Sequence, residues 1–211
     1  MERGTNQLPI PQVHSLHFPS LQTIHLTIFG SLSANAPRSR KYPSLNPILA
    51  SDTTLIRYDI RKEPSSSILA STFTQYRNER AISNPTNHLR LVCKDFPWVI
   101  EIKLPTGGLL TCEHVWQAIY NALQVDIVDS EWGILVVCGG NNQEDRRKGM
   151  LKAAKKRGDN SGGPVKMKRI DWLGDKTMFK GLDRDDGFAE KMIMPGTDRC
   201  DETWVIKLGD R

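Results

Sequence analysis

Residues 88–132 read HLRLVCKDFPWVIEIKLPTGGLLTCEHVWQAIYNALQVDIVDSEW, and no other part of the chain constrains the fold as strongly. Leu89, Leu91 and Cys93 alternate with Arg90, Val92 and Lys94, while Val99 and Glu101 alternate with Ile100 and Ile102. A period of two, rich in branched aliphatics, marks strands. Asp95-Phe96-Pro97 separates the two runs, and proline has no N–H to give a sheet ladder, so Pro97 belongs to a turn or a strand start. Pro105-Thr106-Gly107-Gly108 ends the second run. Beyond it, the Thr111 hydroxyl can cap a helix by accepting from an unpaired amide of the first turn. Glu113 sits where the helix dipole favours negative charge. Val115, Ile119 and Leu123 recur every fourth residue with Trp116, Ala118 and Ala122 beside them, which makes one apolar face. That face must lie on the strands, and each large side chain it buries contributes roughly 1.5–3 kcal/mol.

Around this centre the chain is uneven. Residues 1–45 are rich in Pro, Ser, Asn and Gln and read as a disordered or variable extension, with a single α+β domain over 46–211. Leu21 to Phe29 (LQTIHLTIF) is apolar and precedes Ser33-Ala34-Asn35-Ala36, the form of a signal peptide, yet Thr23, His25 and Thr27 interrupt it and the only upstream base is Arg3. No run approaches the length of a membrane span. Leu55 to Ile60 reads as a short strand, and residues 65–87 as a loop with a short strand or helical turn around Ile68 to Phe73. Asp129-Ser130-Glu131-Trp132 resembles a helix start. The β-branched run Ile134 to Val137 favours a strand, so 130–140 is read as helix against that local propensity. Gln143 to Arg157 is a helix with acids in its first turn and bases in its last, as the dipole prefers. Gly158 to Pro164 reads as a loop. Val165 to Leu173, Thr177 to Leu182 and Thr203 to Leu208 read as strands, and Ala189 to Met194 as a short helix.

Charge is concentrated. The net charge is +5, and residues 138–169 carry ten bases against three acids, more than the whole surplus. A partner that reads charge would meet that segment rather than the whole surface. Cys93, Cys112, Cys138 and Cys200 form no C-x-x-C pair, which argues against a disulfide framework or a zinc site and for an intracellular compartment, cytoplasmic or nuclear.

Several short motifs occur in a fixed order: Asn46-Pro47-Ile48-Leu49-Ala50, Tyr58-Asp59-Ile60-Arg61, Leu89-Arg90-Leu91-Val92 with Pro97-Trp98-Val99-Ile100, Thr111 to Leu123, and Glu131-Trp132. Arg169-Ile170-Asp171-Trp172-Leu173-Gly174, Phe179-Lys180-Gly181-Leu182 and Glu202-Thr203-Trp204-Val205-Ile206-Lys207-Leu208 follow. Over about residues 46–209 the chain resembles an uncharacterised fungal family, domain of unknown function 6699. The resemblance implies a small intracellular α+β domain and supplies no catalytic residues. Gly133 to Gly140 departs from the family pattern in being less helical.

Four places in the chain could carry chemistry. Cys112-Glu113-His114 stands at a helix N-terminus, where a dipole can activate a thiol, with His88 a better base than its sequence neighbour His114. The plainer alternative is a small capping-region residue and a solvated histidine. Asp183-Arg184-Asp185-Asp186-Gly187 has the look of a calcium loop, but its glycine falls one place early and no glutamate closes it, so a turn is preferred. Gly139-Gly140 and Gly162-Gly163 lack the spacing of a phosphate loop. The basic helix remains: Arg146, Arg147, Lys148, Lys152, Lys155, Lys156 and Arg157, continued by Lys166, Lys168 and Arg169. Such a face can hold phosphates without reading sequence, though no aromatic residue interleaves it, and the bland alternative is a solvated helix face.

These observations lead to an α+β fold with a mainly antiparallel sheet and two or three helices on one face. Trp98, Trp116, Trp172 and Trp204 are expected in its core. The leading functional expectation is a non-catalytic protein-interaction module with no cofactor, no metal and no membrane. A nucleic-acid-binding module built on the 146–157 helix is the alternative, and a cysteine-dependent enzyme around Cys112 the third.

Overall fold

The alternation in residues 88–103 becomes a strand pair, and the helix that follows covers its apolar side. The structure, a computed structural model, describes residues 38–128, 131–133, 143–158, 166–194, 196–200 and 202–211. In chain order the elements are α1 (Pro64–Ser67), α2 (Ala70–Tyr76), β1 (His88–Cys93), β2 (Ile100–Lys103), α3 (Cys112–Leu123), α4 (Gln143–Gly158), a 3-10 turn (Arg169–Leu173), β3 (Met178–Asp183), α5 (Asp186–Met192) and β4 (Thr203–Gly209).

The four strands form one sheet in the order β2-β1-β4-β3. β1 pairs antiparallel with β2, Leu89 opposite Ile102 and Leu91 opposite Ile100. β3 pairs antiparallel with β4, but β4 runs parallel to β1, Leu91 opposite Trp204 and Cys93 opposite Ile206. The sheet is therefore mainly antiparallel yet mixed. A period-two pattern says which face a residue takes and nothing about the direction of the neighbouring strand.

Leu89, Leu91, Cys93, Ile100, Ile102, Trp204 and Ile206 form the buried face, and α3 delivers Val115, Trp116, Ile119 and Leu123 onto it. Thr111 caps α3: its hydroxyl accepts from the His114 amide, and His114 Nδ1 accepts the Thr111 amide at 3.1 Å. The helices do not all share this face. α5 packs on the opposite side, where Ala189 closes over Val92 and Val205, two apolar residues in the polar phase of their strands.

Two expected strands take other forms. Residues 54–58 run along β3 with no ladder of their own, and only Asp59 bridges to Met178, while Ala50 bridges Leu182. β3 itself is bulged between Phe179 and Leu182, around Gly181 at φ +96°. Residues 169–173, expected to end a strand, form the 3-10 turn instead, because Asp171 accepts the Lys168 amide at 2.8 Å and closes the turn. Val165 lies outside the described residues. Residues 131–133 are helical; 134–142 and the loop over 159–165 lie outside the described residues, as do 1–37, including the apolar 21–29 stretch. Residues 38–45 pack on the core: Ser39 and Leu45 are buried, and buried Tyr42 meets Trp204 edge-on with ring centres 5.6 Å apart. Among the described residues no helix is long and apolar enough to cross a membrane.

Candidate interaction surface

α4 has little to hold it down by burial. Met150 and Ala154 are buried, Leu151 and Ala153 half-buried, and the rest of its side chains from Glu144 to Arg157 are exposed. Polar contacts complete the attachment to the 3-10 turn. Arg157 grips Asp171 with two parallel bonds, Nη2–Oδ2 at 2.7 Å and Nε–Oδ1 at 3.1 Å, and donates from Nη2 to the Lys166 carbonyl at 2.7 Å. Asp171 is buried, and a planar guanidinium fork is the group suited to such a carboxylate. At the other end the Arg146 guanidinium lies 4.3 Å from the centre of the Trp172 ring. Trp172 meets Trp98 edge to face at 5.9 Å, and Arg169 covers Trp98 at 5.1 Å while bonding Glu131 at 2.9 Å.

The ten basic candidates therefore divide by role. Arg146, Arg157 and Arg169 are spent on stacking or ion pairing within the fold. Lys148 reaches Glu144 at 3.6 Å across one helical turn, and half-buried Lys168 reaches Gln124 at 3.4 Å. Arg147, Lys152, Lys155, Lys156 and Lys166 are exposed and have no hydrogen-bond or ion-pair partner of their side chains among the described residues. Lys148, Lys152, Lys155 and Lys156 lie on the side of the helix away from Met150 and Ala154, given about 100° of rotation per residue. By contrast, Lys41 and Lys207 pair with Asp183, Lys94 with Asp185, Lys103 with Asp198 and Lys176 with Asp95. Lys62, Lys180 and Lys191 are also unpaired among the described residues, but they are scattered, in the turn before α1, on β3 and on α5.

Beside the end of α4, the start of the stretch expected as a strand over 165–173 pairs with residues 125–128, a partner the sequence did not announce. The Arg169 amide donates to the Val125 carbonyl at 3.0 Å, the Ile127 amide to Met167 at 2.9 Å, and Asp126 bridges Lys168. This register sets Val128 across from Lys166. Val125 and Val128 are 45% and 57% exposed. Two valines in a short segment carry no periodicity, so only the pairing with 166–169 could have exposed this feature.

The other candidates are placed as follows. Cys112 is fully buried and burial pushes its thiol pKa up; its Sγ faces the Arg80 carbonyl at 4.0 Å, and His88 is engaged elsewhere, with Glu101. A buried, protonated thiol is an inert one. Asp183 to Gly187 is a turn: Asp185 accepts the Phe188 amide at 3.1 Å and starts α5. No group of three or more potential metal ligands occurs among the described residues. A cavity of about 300 Å³ beside β4 is lined by Lys94, Lys180, Lys207, Asp95, Asp183 and Asp185 with Val205, Ile206 and Leu208, so its charges cancel. Of the four tryptophans expected in the core, Trp116 and Trp204 are fully buried, whereas Trp98 and Trp172 sit half-buried at its margin under arginines.

The fold and this surface define a small α+β domain with one cationic helix docked at its edge. The family of unknown function DUF6699 matches residues 56–189, and the chain belongs to that family. No curated protein and no solved structure matches the chain.

Proposed function

We propose that the domain is a non-catalytic interaction module that takes an anionic macromolecular partner on the outer face of α4 and Lys166. The observation that carries this reading is the cluster of exposed, unpaired lysines at Lys152, Lys155 and Lys156 on that face, with exposed, unpaired Lys166 in the segment that the end of α4 is tied to. Like charges held close together on one helix destabilise it, and a cluster left unneutralised within the fold is complementary to a partner of opposite sign. Arg157 and Arg146 are instead committed to Asp171 and Trp172, which holds the helix in place and leaves the lysines outward. An intracellular setting belongs to the same proposal and fits the free, buried Cys93 and Cys112.

The test is charge reversal in the full chain. Lys152→Glu, Lys155→Glu and Lys156→Glu together should weaken binding to labelled anionic probes (an acidic peptide and a DNA duplex) by about tenfold or more. Unchanged affinity for every probe sinks the reading.

A further inference from the structure

The cavity of about 300 Å³ beside β4 lies on the face of the sheet away from α3, and we propose that it binds a small organic carboxylate. Its size is at the lower end of pockets that hold small molecules. Three lysines line it at one level of the sheet. The parallel register that pairs Cys93 with Ile206 brings Lys94 beside Lys207, and the β3 bulge between Phe179 and Leu182 sets Lys180 on the other side of Lys207. The charges of the lining cancel in sum but not pair by pair. Lys94 holds Asp185 at 2.6 Å and Lys207 holds Asp183, which Lys41 also reaches from outside the lining. Asp95 is taken at 2.8 Å by Lys176, again from outside. Lys180 is thus the lining ammonium left without a carboxylate among the described residues. Its position is set by the neighbouring strand. A Cβ added at Gly209 would stand 2.6 Å from Lys180 Cε and 3.1 Å from its Cγ. Gly209 is not among the glycines at positive φ, so its backbone demands no glycine, and what the missing side chain provides is room for the Lys180 stem. Val205 and Leu208 add apolar wall. One uncommitted ammonium beside an apolar wall suits a ligand with one negative charge and an apolar body. Lys207 keeps further N–H donors beyond its bond to Asp183 and can assist. A phosphate group, with nearly two charges on three oxygens, calls for several free donors, and Lys180 alone is uncommitted.

The test is a titration of the full chain followed by amide chemical shifts, with hexanoate and benzoate, their uncharged amides, and inorganic phosphate as probes. At least one carboxylate should bind with a Kd of about 1 mM and shift the amides of Lys180, Val205, Lys207 and Leu208 together. Lys180→Gln should weaken that binding about fivefold, to the level of the uncharged amide. Gly209→Ala should weaken it as well, because the added methyl displaces the Lys180 stem, a flexible side chain that yields without moving the backbone. Lys180 is exposed, so Lys180→Gln should keep its thermal midpoint, which is measured alongside. Lys152→Glu, Lys155→Glu and Lys156→Glu together should leave the titration unchanged, so this site stands or falls separately from the α4 surface. No shift with either carboxylate, equal binding of acid and amide, binding that survives Lys180→Gln, or shifts centred on α4 overturns the inference. Tighter binding of phosphate than of both carboxylates overturns it too.

Discussion

Asp183 shows how single side chains lock the outer face of the sheet. It ends β3, and it accepts from Tyr42, Lys207 and the Arg184 amide, with Lys41 at 3.3 Å. Burial works to raise its pKa, and these donors outweigh burial and hold the carboxyl below the ordinary aspartate range. The folded value lies below the unfolded one, so the stabilisation is present at neutral pH and drains away as pH falls from about 5. Asp183→Asn should lose about 2 kcal/mol at pH 7 and show a flatter acid limb in urea melts than the unaltered chain; parallel limbs would contradict this. At the same scale the cysteines separate by burial. Burial raises the Cys93 pKa to about 12 and pushes Cys112 up as well, whereas Cys200 is only half-buried. Native iodoacetamide labelling read by peptide mass should modify Cys200 well before Cys93 or Cys112, and prompt labelling of Cys112 would revive a nucleophilic role for it.

At the scale of elements, close approach decides what each position tolerates. Gly181 occupies the β3 bulge at φ +96°, and a Cβ there would stand 2.6 Å from Ser51 Cα and 2.7 Å from its amide nitrogen. Those are backbone atoms, held by the Ser51 amide bonding the Leu182 carbonyl at 2.9 Å, so they cannot yield cheaply. Gly181→Ala should cost about 3 kcal/mol, a fall of roughly 10 °C in the thermal midpoint. Gly149, inside α4 with nothing within 4 Å of an added Cβ, should instead gain about 1 kcal/mol as alanine. α3 was legible because Val115, Ile119 and Leu123 repeat at helical spacing and Thr111 can only help at its start. α4 was legible from its acid-to-base gradient. Residues 169–173 were not, since Ile170 and Leu173 pass for strand residues while the deciding contact, the Asp171 carboxylate accepting the Lys168 amide, is a single side-chain bond that hydrophobic patterning does not register. The direction of β4 was hidden for a similar reason: Trp204 and Ile206 fit against Leu91 and Cys93 in the parallel register that forms, and their alternation does not encode it.

Over the whole molecule the distribution of charge separates framework from surface. The sequence located the surplus in residues 138–169 but could not show which bases the fold consumes, because Asp171, Trp172, Trp98 and Glu131 come from distant or differently folded segments. The remaining lysines define a face that should act as a unit and respond to ionic strength. The most direct test is a fluorescence-anisotropy titration of the full chain with the labelled anionic probes at several salt concentrations. Alongside it run the Lys152→Glu, Lys155→Glu and Lys156→Glu variant and a control with Lys62→Glu, Lys180→Glu and Lys191→Glu, which changes net charge equally on scattered elements. Binding is expected to weaken steeply with salt, to be lost in the α4 variant and to be largely kept in the control. Equal loss in both variants, or no binding by the unaltered chain at low salt, rules out α4 as the binding face.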